Sequence, residues 1–228
     1  MSQQLKVQEK LEAIRSRIRL AEIQAGRPAN SVTLIGASKK QSSHLIALFN
    51  EAGLRHCGEN YLQEAIEKQA ALNSHDIEWH FIGQIQSNKT KLIAEHFTWV
   101  HGIDRLKIAS RLATQSTKPI KLLIQINPDE ETSKGGVPLS EGAELADQIA
   151  QLDNVEIRGF MTIPQAEKKP DRQKSTFAKV HELLVQTNQR YSLDLNQLSM
   201  GMSGDLEAAV SEGATMVRIG TDLFGARK

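Results

Sequence analysis

The sequence has little cysteine, almost no net charge and no long apolar run, and each lack excludes a class of protein. Cys57 is the single cysteine among 228 residues, so a disulfide framework is excluded and a reducing compartment is expected. A net charge of +1 provides no broad field for nucleic acid or membranes. No stretch is long and apolar enough for a membrane span or a signal peptide. We therefore expect a cytoplasmic protein without nucleic-acid or membrane partners.

Metal motifs and domain linkers are missing as well. The seven histidines show no HExxH or other ligand spacing, and one cysteine cannot build a thiolate site. No segment rich in proline, glycine or serine divides the chain. Because α/β barrels routinely use about 200–250 residues as one domain, we expect a single domain over residues 1–228 and no metal site.

Eight apolar, strand-like runs alternate with longer amphipathic segments. The runs are 32–38, 54–59, 79–83, 98–103, 121–127, 156–163, 197–202 and 215–220. Alternating βα units imply a parallel sheet, and eight such units are the number that closes an α/β, (β/α)8 TIM-type barrel. An open doubly wound sheet is the alternative, because periodicity does not show closure.

An extra helix is expected before the first strand. Leu11, Ile14 and Ile18 recur at helical spacing until Gly26 and Pro28 stop the pattern, so a helix within residues 1–28 should pack on the barrel. Further along the chain, the sequence predicts helix N-caps at Asp104 and Ser140 and C-terminal glycines at Gly53 and Gly213.

The loops after the last two strands have the composition of phosphate-binding loops. Ser203 and Gly204 precede a helix, and Gly220 and Thr221 follow the eighth strand. The N–H groups at a helix start favour an anion, and TIM barrels often hold phosphate at these two loops. The structural alternative is a helix N-cap and a tight turn. Together the loops favour a phosphorylated ligand of unknown type.

Strand alternation makes Arg218 a candidate for the same site. Val217 and Ile219 point to one side of the strand, and Met216, Arg218 and Gly220 to the other. A buried guanidinium needs a partner, which is either a carboxylate at the barrel rim or a ligand atom.

The first strand ends in two adjacent lysines, Lys39 and Lys40. Ile35, Ala37 and Lys39 share one face, but alternation does not say which face is the lumen. A lysine in a partly apolar pocket can attack a carbonyl and form a Schiff base. The alternative is that the strand has simply reached water.

Seven ordered motifs resemble one known family. They are "LIGASKK", "HCGENYLQE", "WHFIGQIQSNKTK", "VHGIDR", "RGFMTIP", "LSMGMSGDLEAAV" and "VRIGTDLFGAR". Through them the chain strongly resembles the pyridoxal-phosphate homeostasis protein family, which is related to the N-terminal barrel of alanine racemase. One departure is the reading "KKQSS", where family members often have a proline soon after the lysine.

The resemblance implies a set of cofactor-binding residues. Lys39 is expected to hold pyridoxal 5′-phosphate (PLP) as a Schiff base, and Arg218 to face the pyridine nitrogen. Ser203, Gly204, Gly220 and Thr221 are expected around the phosphate, and further pocket residues are Asn60, His80, Gly83, Ser199 and Met200. No catalytic residue is established.

The resemblance favours a cofactor carrier over an enzyme. In alanine racemase-type enzymes a second domain and the dimer partner complete the catalytic site, and this chain ends eight residues after Gly220, which predicts no second domain. We expect a monomer that stores PLP or delivers it to apo PLP-dependent enzymes. The alternatives are a small PLP-dependent racemase-like enzyme and a phosphosugar-binding barrel enzyme without PLP.

Overall fold

Eight parallel strands and their connecting helices form a closed barrel. The structure, a computed structural model, describes residues 2–129, 135–165 and 169–225. The strands are β1 Thr33–Ala37, β2 His56–Glu59, β3 Glu78–Phe81, β4 Trp99–Ile103, β5 Ile120–Ile126, β6 Val155–Thr162, β7 Gln197–Ser199 and β8 Met216–Ile219. Each strand pairs with the next, and β8 pairs with β1. The predicted TIM-type barrel is confirmed, and the open sheet is excluded.

Helices follow the strands on the outside of the barrel. They are α1 Gln3–Gln24, α2 Ser43–Glu51, α3 Leu62–Ala71, α4 Thr90–His96, α5 Leu106–Gln115, α6 Leu139–Ala150, α7 Pro170–Tyr191, α8 Leu206–Ser211 and α9 Thr221–Phe224, with a 3-10 turn at Ser87–Lys89. Within the described ranges, no helix combines the length and apolar character needed to cross a membrane.

The apolar residues divide between two layers. The outward side chains of the strands pack with the helices in one large cluster, which includes Val217 and Ile219. A smaller cluster fills part of the lumen and includes Ile35, Trp99 and Met216. Because Ile35 lies in the lumen, strand alternation places the face that also carries Ala37 toward the barrel interior.

Helix α1 lies against the barrel helices that surround the last two loops. Its buried residues are Val7, Leu11, Ile14, Ile18, Ala21 and Glu22, and it contacts α2, α8 and α9. The helix ends at Gln24, followed by Gly26 with a φ of 65°, as the sequence predicts.

Two of the predicted helix caps are wrong. Arg105 is the N-cap of α5 and Pro138 that of α6, and neither provides a side-chain cap. Asp104 instead pairs with Arg105, and Ser140 lies inside α6. The C-terminal glycines are confirmed, since Gly53 and Gly213 follow α2 and α8 with φ values of 105° and 98°.

Candidate functional site

A cavity of about 220 Å³ opens at the C-terminal end of the barrel. It is lined by Ala37, Lys39, Asn60, Ile82, Ile163, Met202, Ser203, Gly204, Arg218, Gly220 and Thr221. Seven of these residues were predicted from the sequence; Arg218 lies in β8, and the other six follow β1, β2, β7 or β8. Larger cavities exist elsewhere, so position and chemical composition, and not size, single out this one.

Lys39 and Lys40 differ in their surroundings although they are adjacent. Lys39 is half-buried and lines the cavity, whereas Lys40 is exposed. Lys40 has a φ of 61°, so the chain turns sharply here, and its N–H donates to Glu64. Because of this turn, Lys39 points to the cavity and Lys40 to solvent.

A buried ion pair fixes the end of β1. Lys68 Nζ donates to the Ser38 carbonyl at 2.7 Å, to Glu59 Oε1 at 2.7 Å and to Glu64 Oε1 at 2.6 Å. Ser38 Oγ donates to the same Glu59 oxygen at 2.6 Å. Burial raises the pKa of Glu59, against the opposite effect of its bonds to Lys68 and Ser38. This network holds the residue just before Lys39.

Arg218 is buried at the base of the cavity with neutral partners. It donates through Nη1 to the carbonyl and the hydroxyl of Ser199, at 2.6 and 2.7 Å, and through Nη2 to the Thr162 carbonyl at 2.8 Å. Burial lowers the pKa of Arg218 to about 10, with Asp205 opposing this, so the group remains a cation at neutral pH. Of the two partners considered from the sequence, a carboxylate acts on Arg218 only through the Coulombic effect of Asp205, and the hydrogen-bond acceptors in the described residues are neutral oxygens.

A column of imidazoles continues below Arg218. His101 Nδ1 lies 2.9 Å from Ser199 Oγ, His101 Nε2 lies 2.9 Å from His80 Nδ1, and His80 Nε2 lies 3.1 Å from His56 Nδ1. Burial lowers the pKa of His80 and His101 well below the usual value, so both rings are neutral at neutral pH.

Four predicted residues do not line the cavity. His80 and Ser199 lie deeper in the lumen, in the hydrogen-bonded column. Met200 follows the short strand β7 and packs in the outer hydrophobic cluster. Gly83 packs on backbone, because a Cβ there would lie 2.3 Å from the Asn60 carbonyl oxygen.

The loops after β7 and β8 each lead into the start of a helix. Ser203 and Gly204 lead into α8, and Gly220 is the N-cap of α9. A Cβ on Gly204 would meet nothing within 4 Å, and one on Gly220 would lie 3.4 Å from the Ala37 carbonyl oxygen. Gly204 therefore leaves open space, whereas Gly220 lets its loop approach the end of β1 closely. The backbone N–H groups at such helix starts favour a phosphate.

Arg17 of α1 joins the segments that follow β7 and β8 on the side facing α1. The sequence did not predict this role. Its Nη2 donates to the Ser203 carbonyl at 2.9 Å, Nε to Glu207 at 2.8 Å and Nη1 to Asp222 at 2.8 Å. Since these partners lie some 190 residues away along the chain, no local pattern could have indicated them. Because Glu207 and Asp222 compensate its charge, Arg17 serves to hold the two loops together, and the cations that line the cavity are Lys39 and Arg218.

Asn60 contributes an acceptor without a partner. Its Oδ1 is buried and makes no hydrogen bond to any residue in the described ranges. A buried acceptor left unpaired costs about 1–3 kcal/mol, so a ligand that donates a hydrogen bond here would stabilise the site.

Comparisons with known proteins show the family to which the chain belongs. The family model described as "Alanine racemase, N-terminal domain" matches residues 10–228. A pyridoxal phosphate homeostasis protein of Pseudomonas aeruginosa is 48% identical over 224 residues, which cover 97% of this chain and 96% of the relative. The chain belongs to the pyridoxal phosphate homeostasis protein family. The resemblance drawn from the seven motifs is thereby confirmed.

Solved structures show the same barrel. PipY of Synechococcus elongatus, solved with PLP bound, has a TM-score of 0.84 and 36% identity, over 96% of this chain and 100% of that chain. An alanine racemase of Clostridium difficile has a TM-score of 0.72 at 12% identity, over 86% of this chain and 53% of the racemase. The second likeness shows the fold alone.

The buried network beside Lys39 generates a prediction about stability. Replacing Lys68→Met leaves the carboxylate of Glu59 buried without its cation, so the free energy of unfolding should fall by about 3 kcal/mol or more. Urea unfolding measures the change. Lys91→Met is the matched control, because Lys91 only faces Glu95 at 4.0 Å on the surface and should change stability by less than about 0.5 kcal/mol.

The double variant Glu59→Gln/Lys68→Met tests the cause. Removing the carboxylate as well should recover part of the loss, since no buried charge is then left unpaired. Equal losses in the Lys68 and Lys91 variants would contradict the assignment.

Proposed function

We propose that this protein binds PLP at the C-terminal mouth of the barrel and serves in PLP homeostasis, as a store or a delivery agent. The observation that carries the proposal is the presence, in one cavity, of a half-buried lysine amine and two glycine-containing helix starts. PLP supplies an aldehyde for the first and a phosphate for the second. The structure of PipY, which is 36% identical and was solved with PLP bound, supports PLP as the ligand.

Each functional group of PLP has a chemical counterpart in the cavity. Ser203, Gly204, Gly220 and Thr221 hold the phosphate, with Arg17 behind their loops. Arg218 donates to the pyridine nitrogen, and the buried Oδ1 of Asn60 accepts from the phenolic hydroxyl. The amine of Lys39 forms a Schiff base with the aldehyde and releases one water. This set fits PLP better than a phosphosugar, which has no aromatic nitrogen for Arg218.

The nature of Arg218 favours holding PLP over catalysis. With a pKa of about 10 it stays protonated at neutral pH and donates a hydrogen bond without transferring its proton. The pyridine ring then remains largely unprotonated and withdraws electrons poorly. Release follows when water or another amine displaces Lys39 from the Schiff base.

We further propose that residues 1–228 act as one domain, as a monomer in the cytoplasm. Residues from six of the eight βα units line this one cavity, which supports a single domain. Contacts of α1 with α2, α8 and α9 support packing of the N-terminal helix on the barrel. Cys57, buried with its pKa raised to about 12 by desolvation, is unsuited to disulfide formation.

Absorption spectroscopy tests the role of Lys39. Adding PLP to the wild-type protein should produce a Schiff-base band near the visible edge, which Lys39→Ala abolishes while weakening PLP binding at least about tenfold, or 1.4 kcal/mol. Lys40→Ala is the matched control and should keep the band, because Lys40 points to solvent. A band that survives in Lys39→Ala would refute the proposed attachment.

Transfer to an apo-enzyme tests the homeostasis role. Wild-type protein loaded with PLP should restore the activity of an apo PLP-dependent enzyme, whereas Lys39→Ala taken through the same loading and desalting should restore little, because it retains little PLP. In parallel, the loaded protein should racemise a panel of amino acids no faster than free PLP. Failure to restore activity, or racemisation well above that of free PLP, would contradict the carrier function.

A further inference from the structure

We propose that the N-terminal end of the barrel holds a divalent transition-metal ion of the zinc type between His56, Glu78 and His80. In the register of β2 and β3, His56 lies opposite Glu78, and His80 follows two residues later on the same face. One ligand atom from each of the three residues lies within 4.8 Å of the other two. The sequence predicts no metal site because these ligands come from two strands and have no motif spacing.

Two of the three distances between ligand atoms fit a tetrahedral ion. His56 Nδ1 lies 3.1 Å from His80 Nε2 and 3.3 Å from Glu78 Oε2. Ligands bound at 2.0–2.1 Å to a tetrahedral zinc ion lie about 3.3 Å apart. Two imidazoles and a carboxylate are also a known zinc ligand set, with water in the fourth position. The third pair, the ligand atoms of Glu78 and His80, lies within 4.8 Å, so a shift of no more than about 1.5 Å would give all three the spacing of a tetrahedral site.

The non-coordinating atoms of two ligands already have partners. Glu78 Oε1 accepts from Trp99 Nε1 at 3.0 Å, which leaves Oε2 to face His56. His80 Nδ1 lies 2.9 Å from His101 Nε2, which leaves Nε2 to face His56. Outer contacts of this kind orient metal ligands and raise the affinity of their sites.

The site is accessible and carries charges of both signs. The side chains of His56 and Glu78 are 30% and 34% exposed, so an ion and a water molecule can reach them. Asp76 adds negative charge, partly compensated by Arg55 at 3.3 Å. Lys121, whose Nζ lies 5.1 Å from the ring of Trp99, opposes a second cation.

Occupancy of this site would determine the hydrogen bonding under Arg218. A metal on His80 Nε2 leaves the proton on Nδ1, which then donates to His101 Nε2. His101 in turn donates from Nδ1 to Ser199 Oγ, which also accepts from Arg218. The ion thus fixes the tautomers of both buried histidines.

Metal titration of the full-length protein, free of any polyhistidine tag and stripped by a chelator, tests the proposal. Zn²⁺ in competition with a chromophoric chelator should bind one ion per chain, and Co²⁺ should give the intense visible bands of a four-coordinate site. Glu78→Gln and His56→Gln should each weaken binding at least about 100-fold, the upper end of what losing an outer partner costs. Circular dichroism verifies that the variants are folded.

Two further variants separate the site from general effects. His44→Gln, which removes an exposed histidine, should leave the affinity unchanged. Lys121→Met should tighten binding severalfold, because it removes the opposing cation, and a misfolded protein would not show this gain. Absence of stoichiometric Zn²⁺ binding by the wild type, or unchanged affinity in both ligand variants, would overturn the proposal.

Discussion

The pairing of the first strand with the last is the constraint on which the candidate site depends. Thr33 lies opposite Met216 and Gly36 opposite Ile219, so the loop after β1 emerges beside the loop after β8. The close approach of Gly220 to the Ala37 carbonyl follows from this register. An amine at residue 39 and a glycine-containing helix start at residue 220 thereby share one cavity, although most of the chain separates them. In an open sheet with β1 and β8 at distant positions, the two would not meet.

Charge is distributed in two different ways around this cavity. Lys68 is buried with carboxylates as partners, so its charge is largely compensated within the protein and it serves to hold the chain next to Lys39. Arg218 is buried with neutral oxygens as its hydrogen-bond partners, and burying such a charge is costly. An electron-rich ligand atom would lower that cost. The ion pairs of Lys68 make the end of β1 rigid, whereas the charge of Arg218 is still able to attract a ligand.

The sequence predicted the fold and seven of the eleven residues that line the cavity, mostly because these depend on local patterns, whereas Asn60 came from the family resemblance. Strand alternation separated Val217 and Ile219, which pack under helices, from Arg218, which faces the lumen. Alternation also indicated that Lys39 and Lys40 would differ. Alternation did not show which face of each strand points into the lumen. The closed barrel shows this, because Ile35 packs inside it.

The residues that were missed act through partners far away in the chain. Arg17 contacts loops that begin after residue 200, and Lys68 contacts Ser38, so no periodicity relates them. His80 was expected in the pocket because its motif matched the family, yet its place in the strand puts it deeper, against His101. The N-caps predicted at Asp104 and Ser140 were wrong because the N-cap positions are taken by Arg105 and Pro138. N-cap propensity favours neither residue.

The central claim is that one particular amine reaches into the barrel mouth. Incubation with PLP, borohydride reduction and peptide mapping by mass spectrometry tests it most directly, since reduction makes the bond between lysine and cofactor permanent. The account predicts one pyridoxyl group per chain, with fragmentation placing it on Lys39. A pyridoxyl group on Lys40, or no stoichiometric modification of the wild-type protein, would contradict it.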